Sequence, residues 1–159
     1  MRLLIVIISI ALLSACSKQV QNKSNVISEN GYDSIMAQKY GADDYGMKQY
    51  VMAFLKRGTN DTISKERATA LQKAHLENIQ RMAKEGKLVV AGPFLDRGEL
   101  RGIYIFNVTS VEEAKALTET DPAIKANTLS MELKPWYGSA ALMMVNEYHE
   151  KFSKRSITE

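Results

Sequence analysis

Between residues 48 and 136 the chain alternates between short apolar runs and longer segments with helical spacing, and this order restricts the fold more than any other feature. Strand patterns cover 48–56, 87–94, 100–108 and 129–136. A long helical pattern runs from Ser64 to Gly86, a shorter one covers 110–119, and one further turn of helix is expected at 121–127. The order β-α-β-β-α-β predicts a ferredoxin-like α+β fold, in which two helices cover one face of a four-stranded sheet.

Residues with helix-capping preferences mark where the two long helices begin and end. Ser64 is the expected N-cap of the first helix, with Glu66 in its first turn and Gly86 as its C-terminal stop. Ser110 is the expected N-cap of the second helix, and Glu113, three positions later, predicts a capping box.

The first three predicted strands are apolar on both faces, although the helices can cover only one face of the sheet. In the first strand, Tyr50, Met52 and Phe54 alternate with Val51, Ala53 and Leu55. A monomer would leave one apolar face in water. Either a second copy packs sheet against sheet, which makes a dimeric α+β barrel, or the flanking segments 32–47 and 139–152 shield the face within one chain. We expect the homodimer, with a C-terminal helix at 139–152.

The N-terminal stretch "MRLLIVIISIALLSAC" has the pattern of an export signal. Its apolar run is too short to span a bilayer, for which about 20 residues are needed, so 1–15 is predicted to be a signal peptide. "LSAC" resembles the bacterial lipobox, in which the cysteine is lipidated after cleavage, and Cys16 is the only cysteine of the chain. The alternative is an ordinary signal peptide with an incidental cysteine.

These features divide the chain into four regions. The signal peptide is followed by 16–47, with the lipidated Cys16, a polar tether and an N-terminal extension, then by the α+β domain at 48–138 and by a C-terminal helix and tail at 139–159. Lipid chains on Cys16 would hold the protein at a membrane. Because Ser17 and not aspartate follows the cysteine, we expect an exported lipoprotein of the outer membrane that faces the periplasm.

Charge and motif content argue against several classes of function. The net charge is +3 with acidic and basic residues mixed, so no nucleic-acid partner is expected. The two histidines, His75 and His149, are far apart in the chain, which argues against a metal site. Phosphate-loop, serine-elbow, haem and flavin signatures are lacking from the sequence, so we expect no cofactor.

A histidine occupies a position of the first helix where the spacing favours an apolar residue. Ala68, Leu71, His75, Ile79 and Met82 form one stripe at intervals of three or four residues, so His75 is expected to face the sheet. Burial disfavours a charged imidazole, whereas a carboxylate close by favours it and selects a tautomer. The ring is either a proton carrier for a bound molecule or a structural histidine, and spacing alone leaves both open.

Four segments resemble the YciI-like (YCII-related) family of small α+β proteins. They are "AHLENIQRMAKEGKLVVAGPF", "RGIYIFNV", "TDPAIKAN" and "KPWYGSAAL", between Tyr50 and Leu142. The resemblance implies a ferredoxin-like subunit that is typically dimeric, with an active site around His75 and the aspartate of the "DP" element, Asp121. Most members have no established activity, so the resemblance indicates the fold more strongly than the function.

The helix stripe and the resemblance together suggest cofactor-free acid–base chemistry, of the isomerase or lyase type, on a small acidic molecule. His75 would carry the proton and Asp121 would orient the ring. Asp121 also has a structural explanation, since an aspartate before Pro122 is a favourable N-cap. The alternative function is a membrane-anchored module that binds a ligand, or has a structural role, without turnover.

Four further residues are candidates for binding the small-molecule substrate. Arg101 can hold a carboxylate through two hydrogen bonds, and Gly92 would allow a ligand or another backbone to come close. Pro93 indicates an edge strand or a bulge, because proline cannot donate to a strand ladder. Trp136 can wall a pocket. Their structural alternatives are a solvated arginine, a strand end and a cap on the sheet.

Overall fold

The fold is seen in a computed structural model that describes residues 31–96 and 98–158. Its elements in chain order are α1 (Ser34–Tyr40), β1 (Met47–Arg57), α2 (Lys65–Lys84), β2 (Leu88–Pro93), β3 (Leu100–Phe106), α3 (Val111–Thr118), α4 (Pro122–Lys125), β4 (Leu129–Ser139), a 3₁₀ helix (Ala140–Met144) and α5 (Val145–Phe152). The predicted signal peptide, Cys16 and most of the tether lie outside the described residues. Within the described part, no helix combines the length and apolar character needed to cross a membrane.

The four strands form one antiparallel sheet in the order β2-β3-β1-β4. β1 pairs with β3 on one side and with β4 on the other, so β2 and β4 are the edge strands. With α2 between β1 and β2, and α3 between β3 and β4, this is the ferredoxin-like βαββαβ topology. The α+β fold class predicted from the order of elements is therefore confirmed.

Alternation along the strands places one apolar set under the helices. The buried core of this face consists of Val51, Ala53, Leu55, Met82, Leu88, Tyr104, Phe106, Val108 and Ala114. From β4, Leu129, Met131 and Leu133 pack against it, at alternate positions as the period-two pattern predicts. A slip of one residue would turn this whole set towards the other face, so burial of the core fixes the register.

Local capping explains where the two long helices begin and end. Ser64 Oγ accepts a hydrogen bond from the backbone N–H of Arg67 at 3.2 Å, and Ser110 Oγ accepts from Glu113 N–H at 3.1 Å. After α2, Gly86 takes a left-handed conformation with φ of 69°. The predicted capping box is only half formed, because the Glu113 carboxylate accepts a hydrogen bond from Lys87.

The other face of the sheet is partly covered within the chain. Tyr50, Val89 and Ile105 are buried there, and side chains of the 3₁₀ helix pack against them. The segment 139–152 is thus not the single predicted helix, since it begins as a 3₁₀ helix and becomes α-helical at Val145. Phe54, which shares this face by alternation, is half-buried and lies outside the cluster.

Candidate functional site

A cavity of about 590 Å³ lies between α2 and the sheet, on the helix-covered face. Its apolar lining residues include Leu55, Ile63, Leu71, Leu76, Ile79 and Leu129. Its polar lining residues are Arg57, Gln72, His75, Arg101, Tyr104 and Thr128. Small-molecule sites in proteins have volumes of about 300 to 1,000 Å³, with apolar walls and a few polar groups, and this cavity fits that description.

His75 lies on the buried stripe of α2 and lines this cavity. The residue is 7% exposed, and its Nδ1 lies 2.6 Å from Oδ2 of Asp121. The predicted stripe holds at Ile79, which packs against the core and lines the cavity, whereas Ala68 is exposed and Asn78 is an additional buried residue. The histidine is therefore in direct contact with a carboxylate and is not sealed away from the cavity.

Asp121 has a separate partner for each carboxylate oxygen. Oδ2 faces His75, while Oδ1 accepts a hydrogen bond from Ala123 N–H at 2.8 Å and so caps α4, whose first residue is Pro122. The residue is 0% exposed and does not line the cavity, so it lies behind the histidine ring. The structural and functional explanations of Asp121 are thus compatible, since the cap holds the carboxylate where the ring meets it.

Tyr104 completes a chain of three polar groups. Its hydroxyl lies 3.3 Å from His75 Nε2, and the two rings stack with centroids 6.2 Å apart. Burial raises the pKa of the Tyr104 phenol, and the charge of Asp121 raises it further, so the hydroxyl stays protonated at neutral pH. In the tautomer in which Nδ1–H donates to the Asp121 carboxylate, Nε2 has no proton and can accept a hydrogen bond from Tyr104 or from a ligand.

Sequence reasoning missed Tyr104, which it treated as one apolar residue among several in β3. The register places Tyr104 between Ala53 of β1 and Ala91 of β2, so its ring has small neighbours on both sides. A tyrosine on the core side of a central strand requires a hydrogen-bond partner for its hydroxyl. That requirement, combined with His75 on the facing helix, is the signal that was available.

Arg101 lines the cavity because β3 has an irregular register at this point. Leu55 pairs with Gly102, but the next residue of β1, Lys56, pairs with Leu100, which leaves Arg101 as an extra residue. Strict alternation would put Arg101 on the same face as Ile103, away from the helices. Bulges redirect side chains, often beside binding sites, and this one explains how Arg101 comes to line a cavity on the helix-covered face.

Gly92 and Pro93 also line the cavity, at the end of edge strand β2. The position of Pro93 agrees with the edge interpretation. The close backbone approach assigned to Gly92 occurs across the ladder, because a Cβ at Gly102 would lie 2.4 Å from the Gly92 carbonyl oxygen. A Cβ at Gly92 itself would meet open space, so Gly102 is the glycine that the packing requires.

The prediction that Trp136 walls the pocket is wrong, because the structure places this residue on the face opposite the cavity. Its ring packs with Tyr50, at a centroid distance of 5.9 Å, in the cluster beneath the 3₁₀ helix. Trp136 does not line the cavity. Leu133 faces the helices, and Trp136 is three residues further along β4. Alternation therefore predicts that Trp136 lies on the opposite face of the sheet.

Arg57 and Ile157 are among the lining residues that were not singled out from the sequence. Arg57, the last residue of β1, shares the parity of Val51, Ala53 and Leu55 and lines the cavity with them at one end of the sheet. Ile157, which lies in the tail after α5, also lines the cavity. Ser156, next to it, accepts a hydrogen bond from Gln80 Nε2 of α2 at 2.8 Å.

A side-chain network ties α2 to the turn before Asp121. Asn78 Oδ1 accepts hydrogen bonds from Arg81 at 2.8 Å and from Thr120 at 3.1 Å. Arg81 also donates to the Thr120 hydroxyl at 3.0 Å. Because Thr120 directly precedes Asp121, these contacts fix the carboxylate relative to His75, which lies one turn earlier on the same helix as Asn78.

No cluster of three or more histidine, cysteine or acidic residues with the spacing of a metal site is found in residues 31–96 and 98–158.

Comparison with known proteins gives a family and structural neighbours, one of which is described below. The profile of the YCII-related domain matches residues 50–137. No curated protein matches the chain. Among solved structures, a match is 5-chloro-2-hydroxyhydroquinone dehydrochlorinase from Burkholderia phenoliruptrix, in complex with 2,5-dihydroxybenzoquinone. It is 20% identical, with a TM-score of 0.42, over 54% of this chain and 92% of that one.

Proposed function

The chain belongs to the YCII-related domain family, and on that premise we propose that it is a cofactor-free acid–base enzyme, of the isomerase or lyase type, acting on a small acidic molecule. The observation that carries this proposal is the 2.6 Å contact between His75 Nδ1 and Asp121 Oδ2 beside a cavity of about 590 Å³. A buried carboxylate that accepts from Nδ1–H leaves Nε2 as a base and stabilises the imidazolium formed when it takes a proton.

The proposed step is a proton transfer from carbon. Nε2 of His75 accepts a proton from a C–H bond next to a carbonyl group, and the electron pair of that bond moves into an enolate. Tyr104, whose hydroxyl lies 3.3 Å from Nε2, donates a hydrogen bond to the enolate oxygen. The imidazolium then returns the proton to another carbon, which is isomerisation, or a leaving group departs from the neighbouring carbon, which is elimination.

A specific observation favours a second candidate, a ligand-binding or structural module without turnover. Each oxygen of Asp121 and each ring nitrogen of His75 already has a partner within the chain. A fold can keep such a buried pair for structural reasons alone. In that case the cavity would hold a small molecule, but His75 would not exchange protons with it.

The enzyme and the module are distinguished by proton exchange. The full-length chain is incubated in D₂O with phenylpyruvate or levulinate, which carry C–H bonds next to a carbonyl group, and loss of the proton signal is followed by NMR. His75→Gln should slow exchange by about 10²- to 10⁴-fold, the usual contribution of a general base. His149→Gln is the matched control, because His149 is exposed on α5 and lies outside the cavity lining. Equal exchange rates for the wild type and His75→Gln would contradict catalysis by this residue.

We also propose that the domain is a homodimer and an exported lipoprotein. The half-buried Phe54, on the face of the sheet away from the helices, supports face-to-face pairing of two sheets.

The lipobox-like "LSAC" supports lipidation at Cys16 and an outer-membrane position facing the periplasm. Replacing Cys16 with Ala should move the protein from the membrane fraction to the soluble fraction after cell lysis, and continued tight attachment of the variant would refute a lipid anchor at this residue.

A further inference from the structure

We propose that Arg57 and Arg101 form an anion site at one end of the cavity, which binds the carboxylate of an elongated ligand with an apolar body. The site gives the proposed function a substrate class, and it rests on that function only for what happens at the His75 end of the ligand. Arg57 and Arg101 both line the cavity.

The charged residues that line the cavity are both cationic. Among the residues that line it, two are arginines, and no aspartate, glutamate or lysine is among them. Within the described part of the chain, neither guanidinium group has an ion pair or a hydrogen-bond partner, unlike Arg81, which pairs with Glu85. Cationic groups beside an apolar cavity are stabilised by an anion, and the planar guanidinium fork matches a carboxylate with two hydrogen bonds.

The strand register brings the two arginines to the same end of the sheet. The backbone N–H of Arg57 donates to the carbonyl of Glu99 at 3.1 Å, so the end of β1 lies beside the start of β3. Arg101 lies two residues after Glu99 and is the extra residue of the bulge. Without that bulge, alternation would send Arg101 to the opposite face. The irregular register is thus what gives the cavity its second arginine.

The same register sets the length of the ligand. Tyr104, which contacts His75, pairs with Ala53, and Arg57 lies four residues further along β1. At about 3.3 Å per residue, the Arg57 backbone lies roughly 13 Å along the strands from the position of Tyr104. The Arg101 backbone lies roughly 10 Å from the same position. Leu55 and Leu71 line the space with apolar surface. A ligand that touches both ends therefore has its carboxylate several bonds away from its reactive carbon, across an apolar chain or ring.

The test compares trans-cinnamate with its neutral amide, cinnamamide, which has the same apolar body without the charge. Binding to the full-length chain is measured by calorimetry at low and high salt. Cinnamate should bind at least about tenfold more tightly than cinnamamide, which corresponds to about 1.4 kcal/mol, and the difference should shrink as salt rises.

The variants assign that difference to the two arginines. Arg57→Gln and Arg101→Gln should each weaken cinnamate binding about tenfold and leave cinnamamide binding unchanged, while Arg101→Lys, which keeps the charge but loses the fork, should fall between. The matched control is Arg67→Gln, since Arg67 is exposed on α2 and outside the cavity lining. Denaturation curves identify any variant that fails to fold, in which case the lysine variant at the same position replaces it.

Three results would overturn the anion site: equal binding of acid and amide, no effect of either glutamine variant, or no saturable cinnamate binding at millimolar concentrations. Failure of the proposed catalysis looks different. If His75→Gln and the wild type exchange protons at the same rate while cinnamate still binds through the arginines, the anion site stands and the enzyme does not.

Discussion

At the scale of single residues, Asp121 holds two structures together with one carboxylate. One oxygen caps α4 through Ala123 N–H and the other meets His75 Nδ1. The two roles can be separated by substitution, because asparagine is as good an N-cap as aspartate but has only one oxygen.

Asp121→Asn should leave the fold nearly as stable as the wild type while changing the chemistry of His75. If the amide oxygen keeps the cap, the amide nitrogen faces Nδ1, so the imidazole proton moves to Nε2 and the base at the cavity is lost. Proton exchange should fall by about 10²- to 10⁴-fold, and ¹⁵N NMR of the ring should show the other tautomer. Asp121→Ala, in contrast, should cost about 2 to 4 kcal/mol of unfolding free energy in urea titrations, because it removes the cap and leaves a buried ring nitrogen unpaired. An unchanged tautomer in Asp121→Asn would contradict this account.

Tyr104 is expected to lower the stability of the fold as the pH rises above about 10. The pKa of its phenol is raised in the folded state, chiefly by burial and also by Asp121. Above the unfolded value of about 10, the unfolded chain therefore releases a proton that the folded chain keeps, and stability falls by up to about 1.4 kcal/mol per pH unit. Tyr104→Phe should remove this part of the loss between pH 10 and 11.5, as judged by urea unfolding at each pH. Tyr45→Phe, at an 87% exposed position, should retain it.

The residue scale is also where sequence reasoning was least complete. His75 and Asp121 could be selected because a helix stripe and a family resemblance pointed to them. Tyr104, Arg57 and the direction of Arg101 depend on strand pairing and on a bulge, which are relations between distant parts of the chain. Strand alternation gives the face of Tyr104 and Arg57 but not their partners, and it gives the wrong face for Arg101.

At the scale of elements, predictions from local signals were accurate. Ser64, Ser110 and Gly86 act at the helix ends where capping preferences placed them. The terminal segment was less predictable, because its first turn is a 3₁₀ helix packed on the sheet, and packing rather than propensity decides such a turn.

The contact between β2 and β3 gives a matched pair of substitutions. Gly102→Ala should destabilise the protein by about 1 to 3 kcal/mol, since the new methyl group would lie 2.4 Å from the Gly92 carbonyl oxygen and force the strands apart. Gly92→Ala, on the partner strand, should change unfolding free energy by less than about 1 kcal/mol, because its methyl group meets open space. Urea titrations of both variants measure the difference. Similar losses at the two positions would show that the strands are not packed as described.

At the scale of the whole molecule, the second face of the sheet is the surface through which the proposed homodimer would pack. The 3₁₀ helix covers part of it, over Tyr50, Val89 and Ile105, and so supplies some of the burial that was expected either from a flanking segment or from a second chain. The sequence showed that both faces are apolar, but the share covered by each could not be read from alternation, because alternation does not say where a terminal segment folds back.

The homodimer remains a prediction, and Phe54 is the residue on which to test it. Phe54→Asp places a charge on the half-buried part of this face, and burying a charge without a partner is strongly unfavourable. Light scattering after size-exclusion chromatography should then report the mass of one chain for the variant and of two for the wild type. Phe152→Asp, at an exposed position of α5, should keep the mass of two chains. A wild type that elutes with the mass of one chain would refute the dimer.

The position of Ile157 in the cavity lining links the chemistry to the integrity of the tail. Ser156 and Thr158 hold this stretch on Gln80 of α2, and a trypsin-type protease would cut just before it, after Lys154 or Arg155. A ligand in the cavity has to share space with Ile157. Trimming the tail should therefore alter ligand affinity without touching His75, Asp121 or either arginine, and preparations that differ only in proteolytic damage would differ in measured binding.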